Sequence, residues 1–442
     1  MRVLVLVDGE HYPPVTRWGI DVARTLGHEV EAALLVGGVE KIDPRRPPDL
    51  GVPLRLADGD PAGALARALD ELRPEGVLDL SDEPVLGYRE RMELAAVALA
   101  RGVPYLGADF RLDPPIAGPP LPVPAVGVIG TGKRTGKTAI GAETARVARE
   151  RGLRPVVVAM GRGGPIEPQV ARADEVHVEA LLELVRRGEH AASDYLEDAL
   201  TAGVTAVGAR RAGGGLAGAP YATTARTAAE LAVGLGAELV VLEGSGSAVP
   251  PLPWDAGILV VPATAPPEYL GGYLGPFRLL LSDLVVATMA RSPTGPENLP
   301  ALRSHVQRLR PGARFLVTDF EPVPLAEVGG RDAFLATTAP GPVAERKAAL
   351  LERTYGCRVV GWSARLADRA GLAADMDGAG PYDVLLTELK AAAVDVACDR
   401  ALARGAEVVF LRNRPVAVEG DLGVEEAIAD VLDLALERSG GR

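Results

Sequence analysis

Short apolar runs alternate along the chain with stretches in which apolar residues recur every three or four positions. Runs at residues 3–7, 31–36, 76–80 and 104–106 have the length of strands buried on both faces. Residues 16–25, 61–72 and 88–101 between them carry helical spacing. Such alternation predicts a small α/β domain over residues 1–120, with a parallel sheet covered on both faces. Residues 113–123, DPPIAGPPLPV, hold five prolines and read as a stiff boundary. A larger α/β unit is expected over residues 121–442. Its predicted strands lie at 125–129, 155–159, 204–207, 239–242, 257–261, 284–287, 314–317, 358–361 and 408–411. Helices are expected at 137–151, 222–235, 331–356, 381–404 and 425–437.

The run at 125–129 leads into GTGKRTGKT at 130–138 and then into a helical stretch. Strand, glycine-rich loop and helix is the order that phosphate binding demands. Backbone N–H groups line the loop, and the helix N-terminus adds its positive end. The fold class is therefore α/β, a P-loop NTPase-type core on a mostly parallel sheet, with a smaller Rossmann-like domain in front. The cradle comprises Gly130, Thr131, Gly132, Lys133, Arg134, Thr135, Gly136, Lys137, Thr138 and Ala139. Lys137 is expected to reach the β- and γ-phosphates of ATP, and the Thr138 hydroxyl to reach Mg²⁺. The spacing departs from the plain P-loop, because Thr131 stands where that pattern has glycine and the glycine falls one place earlier. Loops of this length ending in Gly-Lys-Thr are similar to those of dethiobiotin synthetase and its relatives.

Other strand ends also carry chemistry. LVVLEGSG at 239–246 ends in a carboxylate, which makes Glu243 the expected metal ligand. MGRGGP at 160–165 offers Arg162 as an anion contact and catalytic cation, with Glu167 as a further metal candidate. RRAGGGLAG at 210–218 offers Arg210 and Arg211. In the first domain, DGEHYPP at 8–14 is followed by Arg17, and Arg89 follows a polar cluster at 79–83. His11, Arg17 and Arg89 are the candidate substrate contacts there, if the two domains face each other.

Composition sharpens this in two ways. Of the 47 basic residues only five are lysines: Lys41, Lys133, Lys137, Lys347 and Lys390. Where arginine is the default, a lysine marks a place that needs a compact point charge. A formal charge of -12 argues against nucleic acid as a partner. Cys357 and Cys398 match no zinc or redox spacing. No run is long enough for a membrane span, and the opening apolar run ends at Asp8, so a cytoplasmic protein is expected.

Taken together, DGEHYPPVTRW, GTGKRTGKT, MGRGGP, RRAGGGLAG and LEGSG resemble the cyclic 2,3-diphosphoglycerate synthetase family over nearly the whole chain. The resemblance implies ATP- and Mg²⁺-dependent closure of an intramolecular phosphoanhydride in 2,3-diphosphoglycerate. ADP and phosphate would be released. The likeness to the dethiobiotin synthetase class implies that the loop lysine Lys133 is a further catalytic cation that reaches ATP phosphates, sometimes across a dimer interface, and a homodimer is expected. Two other readings stay open at this point. One is a ligase or kinase of the dethiobiotin synthetase type acting on another anion; the other is a nucleotide-driven switch ATPase.

Overall fold

The structure, a computed structural model, describes residues 1–43, 45–292, 295–420 and 422–441. The first sheet contains β1 (Arg2–Val7), β2 (Glu29–Leu35), β3 (Leu54–Leu56), β4 (Gly76–Asp79), β5 (Tyr105–Leu106) and β6 (Arg111–Leu112), in the order β3-β2-β1-β4-β5-β6. Only the last pairing is antiparallel. Leu4 and Leu6 face one core, while Val3, Val5 and Val7 face the other, as a doubly covered strand requires. The strand order reverses between β1 and β4, so a crevice opens at their C-terminal ends.

The second sheet is continuous. Its strands are β7 (Ala125–Gly130), β8 (Pro155–Gly161), β9 (Gln169–Ala171), β10 (Thr205–Ala212), β11 (Ala222–Thr223), β12 (Leu239–Glu243), β13 (Ala256–Pro262), β14 (Leu284–Thr288), β15 (Arg314–Pro324), β16 (Asp332–Ala336), β17 (Arg358–Ser363), β18 (Val384–Thr387) and β19 (Glu407–Glu419). The order β11-β10-β8-β12-β7-β13-β14-β15-β19-β18-β16-β17 is parallel from β10 to β15. The long β15 and β19 pair antiparallel and carry the sheet on into β18, β16 and β17. The final helix, Val424–Gly440, packs back on β7 and β13, and Arg438 holds Asp283 with two bonds of 2.9 Å.

Two expected helices are corrected. Residues 332–336 and 384–387 are strands, and the helices begin later, at Gly341–Tyr355 and in the π-turn Ala393–Cys398. Both strands are short apolar runs, which periodicity cannot assign without knowing what packs on them.

The two sheets meet at a seam. The helix Tyr88–Ala100 packs on Gly275–Leu280, and Ala217, Leu274 and Phe277 join the core of the first domain. Arg308 closes the edge on Glu93 at 2.7 Å. No helix among the described residues is long and apolar enough to cross a membrane.

Candidate phosphate-transfer site

The cradle runs from Gly130, at the end of β7, to the helix Lys137–Glu150. Gly136 caps that helix with φ +93°, and a Cβ there would lie 2.5 Å from Phe320, so glycine is required. Thr288, at the end of β14, donates 2.7 Å to the Thr135 carbonyl, and the Thr131 N–H donates 3.2 Å to Val260. The loop is thus braced from both strands on its flank. Lys137 is buried and donates to the Gly132 carbonyl at 2.7 Å and to Thr135 Oγ1 at 3.3 Å. Burial lowers its pKa to about 8, against the pull of Glu243 and Asp194. Thr138 and Ala139 are half-buried at the first helical turn. Lys133 and Arg134 are exposed and make no hydrogen bond or ion pair with another described residue.

The strands β10, β8, β12 and β7 are neighbours, so their C-terminal ends form one row. Glu243 ends β12, paired in register with Val128 of β7. It is buried against Gly141 of the cradle helix, where a Cβ would fall 1.7 Å from Oε1. That Oε1 has no hydrogen-bond partner, and burial and Asp194 push the Glu243 pKa up to about 8. A buried, unpartnered carboxylate oxygen beside a phosphate loop fits a cation ligand. Glu167 is different. It is exposed on the loop after β8, and no group of three or more metal-ligating side chains forms among the described residues.

The three arginines of the row separate. Arg210 and Arg211 are adjacent in a strand and point to opposite faces. Arg211 is buried and donates to the carbonyls of Ser245 at 2.9 Å and Gly213 at 2.6 Å. Arg210 instead ties β10 to the Gly164 carbonyl at 2.6 Å, which bends MGRGGP over the strand. Gly164 is required in that bend, since a Cβ would meet the Ala209 carbonyl at 2.1 Å. Arg162 is exposed at the tip of the same loop and close enough to Arg211 that, after burial, it lowers the Arg211 pKa.

In the first domain the crevice is built on two buried aspartates. Asp8 Oδ1 accepts the N–H groups of Glu10 and His11 at 2.9 Å, and Asp8 Oδ2 accepts from Asp82 at 2.8 Å. His11 Nδ1 also lies 2.9 Å from Asp8. Asp79 Oδ2 accepts from Tyr105 at 2.8 Å and forms an ion pair with Arg91 at 2.9 Å. Arg91, which sequence reasoning passed over, therefore stands in the crevice. Arg17 is exposed, 4.0 Å from Asp49. Arg89 lines a cleft of about 340 Å³ at the seam, together with Asp60, Glu93 and Arg308. His11 thus stands on Asp8, Arg17 on the exposed face beside Asp49, and Arg89 at the seam.

Sequence reasoning also missed a group of carboxylates on the helix Asp194–Ala202, which packs on the cradle helix. Asp194 is exposed at its start, and its Oδ2 would lie 3.7 Å from a Cβ at Gly161. Glu197 and Asp198 are buried one turn later. Burial and Glu243 raise the Asp198 pKa well above its ordinary value, and neither Asp198 oxygen has a partner. The i, i+3 and i+4 spacing of D-x-x-E-D was the available signal.

Comparison with known proteins places this geometry. Residues 125–318 match the description "Cyclic 2,3-diphosphoglycerate synthetase, P-loop domain". Residues 2–113 match the N-terminal domain of the same description, and residues 324–414 its C-terminal domain. A protein of Rubrobacter xylanophilus is 46% identical, covering 100% of this chain and 98% of its own. One of Methanothermobacter thermautotrophicus is 41% identical, covering 98% and 96%. One of Thermococcus kodakarensis is 42% identical, covering 95% and 96%. All three are named cyclic 2,3-diphosphoglycerate synthetase. With three matched domains and relatives similar over its full length, this nucleotide-binding P-loop chain belongs to the cyclic 2,3-diphosphoglycerate synthetase family of enzymes.

Proposed function

We propose that the protein uses ATP to close the two phosphates of 2,3-diphosphoglycerate into an intramolecular anhydride, giving cyclic 2,3-diphosphoglycerate, ADP and phosphate. The observation that carries this reading is a set of cations without carboxylate partners. Lys133, Arg134, Lys137, Arg162, Arg210 and Arg211 make no ion pair with a described residue, although the chain has 59 acidic residues and an excess of negative charge. Cations gathered along one row of strand ends without ion pairs suit ligands that bring several negative charges. A diphosphate with a carboxylate, together with ATP, is such a pair.

The chain's own groups supply positioning and charge, which is most of what phosphoryl transfer requires. Lys137 exchanges the Gly132 carbonyl for a nucleotide phosphate. Arg211 and Arg162 hold the acceptor at the end of β10 and β8. One substrate phosphate attacks the γ-phosphorus and ADP leaves. The second substrate phosphate then attacks the first, and inorganic phosphate leaves as the ring closes. Closure within one molecule gains effective molarity, worth up to about 7–11 kcal/mol when the geometry is right. Mg²⁺, held by Thr138 and Glu243, would supply charge neutralisation at the nucleotide phosphates.

The reading extends to the assembly and its setting. Residues 1–120 would act as the substrate-side domain and residues 121–442 as the nucleotide core. His11, Arg17 and Arg89 would serve as further contacts when the domains close on substrate. Lys133, exposed on the loop, would serve a neighbouring copy in a cytoplasmic homodimer, for which sedimentation is the test. Phosphorus NMR of ATP, Mg²⁺ and 2,3-diphosphoglycerate with the protein tests the reaction. A cyclic diphosphate forming with ADP and phosphate is expected. A product carrying an added phosphoryl group, or ATP hydrolysis without a ring, would overturn the assignment.

A further inference from the structure

The pairing of β10 with β11 runs from Arg211 and Thr223 to Ala212 and Ala222, so residues 213–221 form the loop of a hairpin at the end of the row. Gly213 and Gly214 are exposed on that loop, and Arg211 is buried at its root. One end of the Arg211 guanidinium, Nη1, donates to the Gly213 carbonyl at 2.6 Å. The other end, Nη2, donates to the Ser245 carbonyl at 2.9 Å, on the loop after β12. Its Nε has no partner. A second buried arginine, Arg278 of the helix Gly275–Leu280, grips the β12 loop two residues on. Its Nη2 and Nε lie 2.7 and 3.1 Å from the Ser247 carbonyl. Neither arginine forms an ion pair with a described carboxylate.

These bonds fix the other half of each peptide. In a trans peptide the C=O and the N–H that follows it point in opposite directions. The Gly213 carbonyl turns in toward a buried guanidinium, so the Gly214 N–H turns outward. The Ser245 carbonyl does the same, so the Gly246 N–H turns outward. Neither N–H bonds a described residue. Both glycines border one guanidinium: a Cβ at Gly214 would lie 3.8 Å from Nη1, and one at Gly246 would lie 3.5 Å from Nη2. Gly213 and Gly246 have φ of +67° and +62°, turns that glycine takes without strain, and without side chains Gly214 and Gly246 let a ligand approach the backbone. An unbonded N–H on a surface is ordinary, because water takes it. These two differ in having a buried guanidinium behind them that is bonded only to neutral carbonyls. Outward N–H groups held in place over a positive charge are an arrangement that receives an anionic oxygen.

We propose that the N–H groups of Gly214 and Gly246 form an anion nest for the acceptor, taking a phosphate or carboxylate group of the substrate, and that Arg211 is a positioning residue that aims both N–H groups by holding the carbonyls of Gly213 and Ser245. Arg211 then acts on the acceptor through two peptides, and Arg278 steadies the loop from Ser247. This rests on reading the row as the acceptor side of a phosphotransfer site, and the experiment separates the two.

Binding of 2,3-diphosphoglycerate to the full-length protein is measured by calorimetry with ADP and Mg²⁺ present. ADP binding is measured separately, and unfolding is followed on the same samples. A parent that binds ADP but no 2,3-diphosphoglycerate overturns the proposed function, and the nest with it. With a parent that binds both, Gly214→Pro removes one N–H that bonds nothing in the chain. It is expected to raise the Kd for 2,3-diphosphoglycerate about tenfold or more, as for one lost hydrogen bond to a charged group, and to leave the ADP Kd within about threefold. Gly214→Ala keeps the N–H and should bind 2,3-diphosphoglycerate several-fold more tightly than Gly214→Pro. Arg211→Met frees both carbonyls and should cost at least as much as Gly214→Pro. The double variant reads how Arg211 acts. It should bind within about threefold of Arg211→Met alone, because the N–H lost to proline is one that Arg211→Met has already misdirected. Losses that multiply would mean that Arg211 touches the substrate itself, and would overturn the positioning role. A folded Gly214→Pro that binds 2,3-diphosphoglycerate like the parent, or that weakens ADP equally, would overturn the nest and leave the proposed function standing. If Gly214→Pro does not fold, Arg211→Lys takes its place, since it keeps the charge but replaces the fork that spans two carbonyls with a single ammonium. It should still lose about tenfold in 2,3-diphosphoglycerate affinity, and a folded Arg211→Lys that binds like the parent would overturn the proposal.

Discussion

Replacing Glu243 by glutamine should make the nucleotide-free protein more stable while making it a poorer enzyme. Glu243 is 3% exposed, one of its oxygens has no partner, and burial with Asp194 pushes its pKa from 4.5 to about 8. The sign follows from proton counting. Between those two values the folded chain keeps a proton that the unfolded chain has released, so stability falls as pH rises through the window. The slope for one proton is about 1.4 kcal/mol per pH unit, which by pH 7 amounts to about 3 kcal/mol. Glutamine has no charge to desolvate and escapes this loss. It also withdraws the acid that supports the charge of Lys137, which returns part of the gain, so a net stabilisation of about 2 kcal/mol at pH 7 is expected. Urea unfolding of the nucleotide-free parent and of Glu243→Gln, at pH 5 and at pH 8, is the assay. The two proteins should differ by less than about 1 kcal/mol at pH 5 and should diverge toward pH 8. A difference that does not change with pH, or a Glu243→Gln protein less stable than the parent at pH 8, would refute the reasoning. Activity should move the other way, with a weaker response to Mg²⁺ and slower turnover.

Lys137→Ala should cut ATP turnover by about a hundredfold or more, since the cradle loses its buried cation, and near-parent rates would sink the cradle assignment. Arg211→Ala should raise the KM for 2,3-diphosphoglycerate by more than about tenfold with little change in ATP affinity, and Arg162→Ala should act likewise but more weakly because that side chain is exposed. Equal effects on both ligands, measured by separate titrations, would displace these arginines from the acceptor site. Gly141→Ala should slow turnover although alanine favours a helix by about 1 kcal/mol, because its Cβ would fall 1.7 Å from Glu243 Oε1. An active, more stable Gly141→Ala would show that Glu243 need not lie where it does. Arg308→Ala at the seam should cost about 1 kcal/mol or less, since its partner Glu93 is reached from a half-exposed side chain.

The sequence alone determined the parts whose signal is local. The strand, loop and helix around 130–138 were legible because glycine, lysine and threonine must stand at fixed offsets to cradle a phosphate. The buried strands β7, β8, β12, β13 and β14 were legible because each is built on a short apolar run, whereas the short β9 and β11 were not. Glu243 was legible as the acid that ends such a run. Two strands after residue 330 were not, because four or five apolar residues suit a helix or a strand equally until the neighbouring strand is known. The site's charge balance lay beyond any local signal. Arg210 and Arg211 are adjacent in the sequence, yet the pleat turns one toward the MGRGGP loop and the other toward Ser245. Asp198 and Glu243 are distant in the sequence, and only the packing of one helix on another brings their fields together. Lys390 stood out as a rare lysine, but nothing near it named Glu197 as its partner. Electrostatic energy depends on distance through space and on the water removed between charges, and both are set when the chain closes on itself.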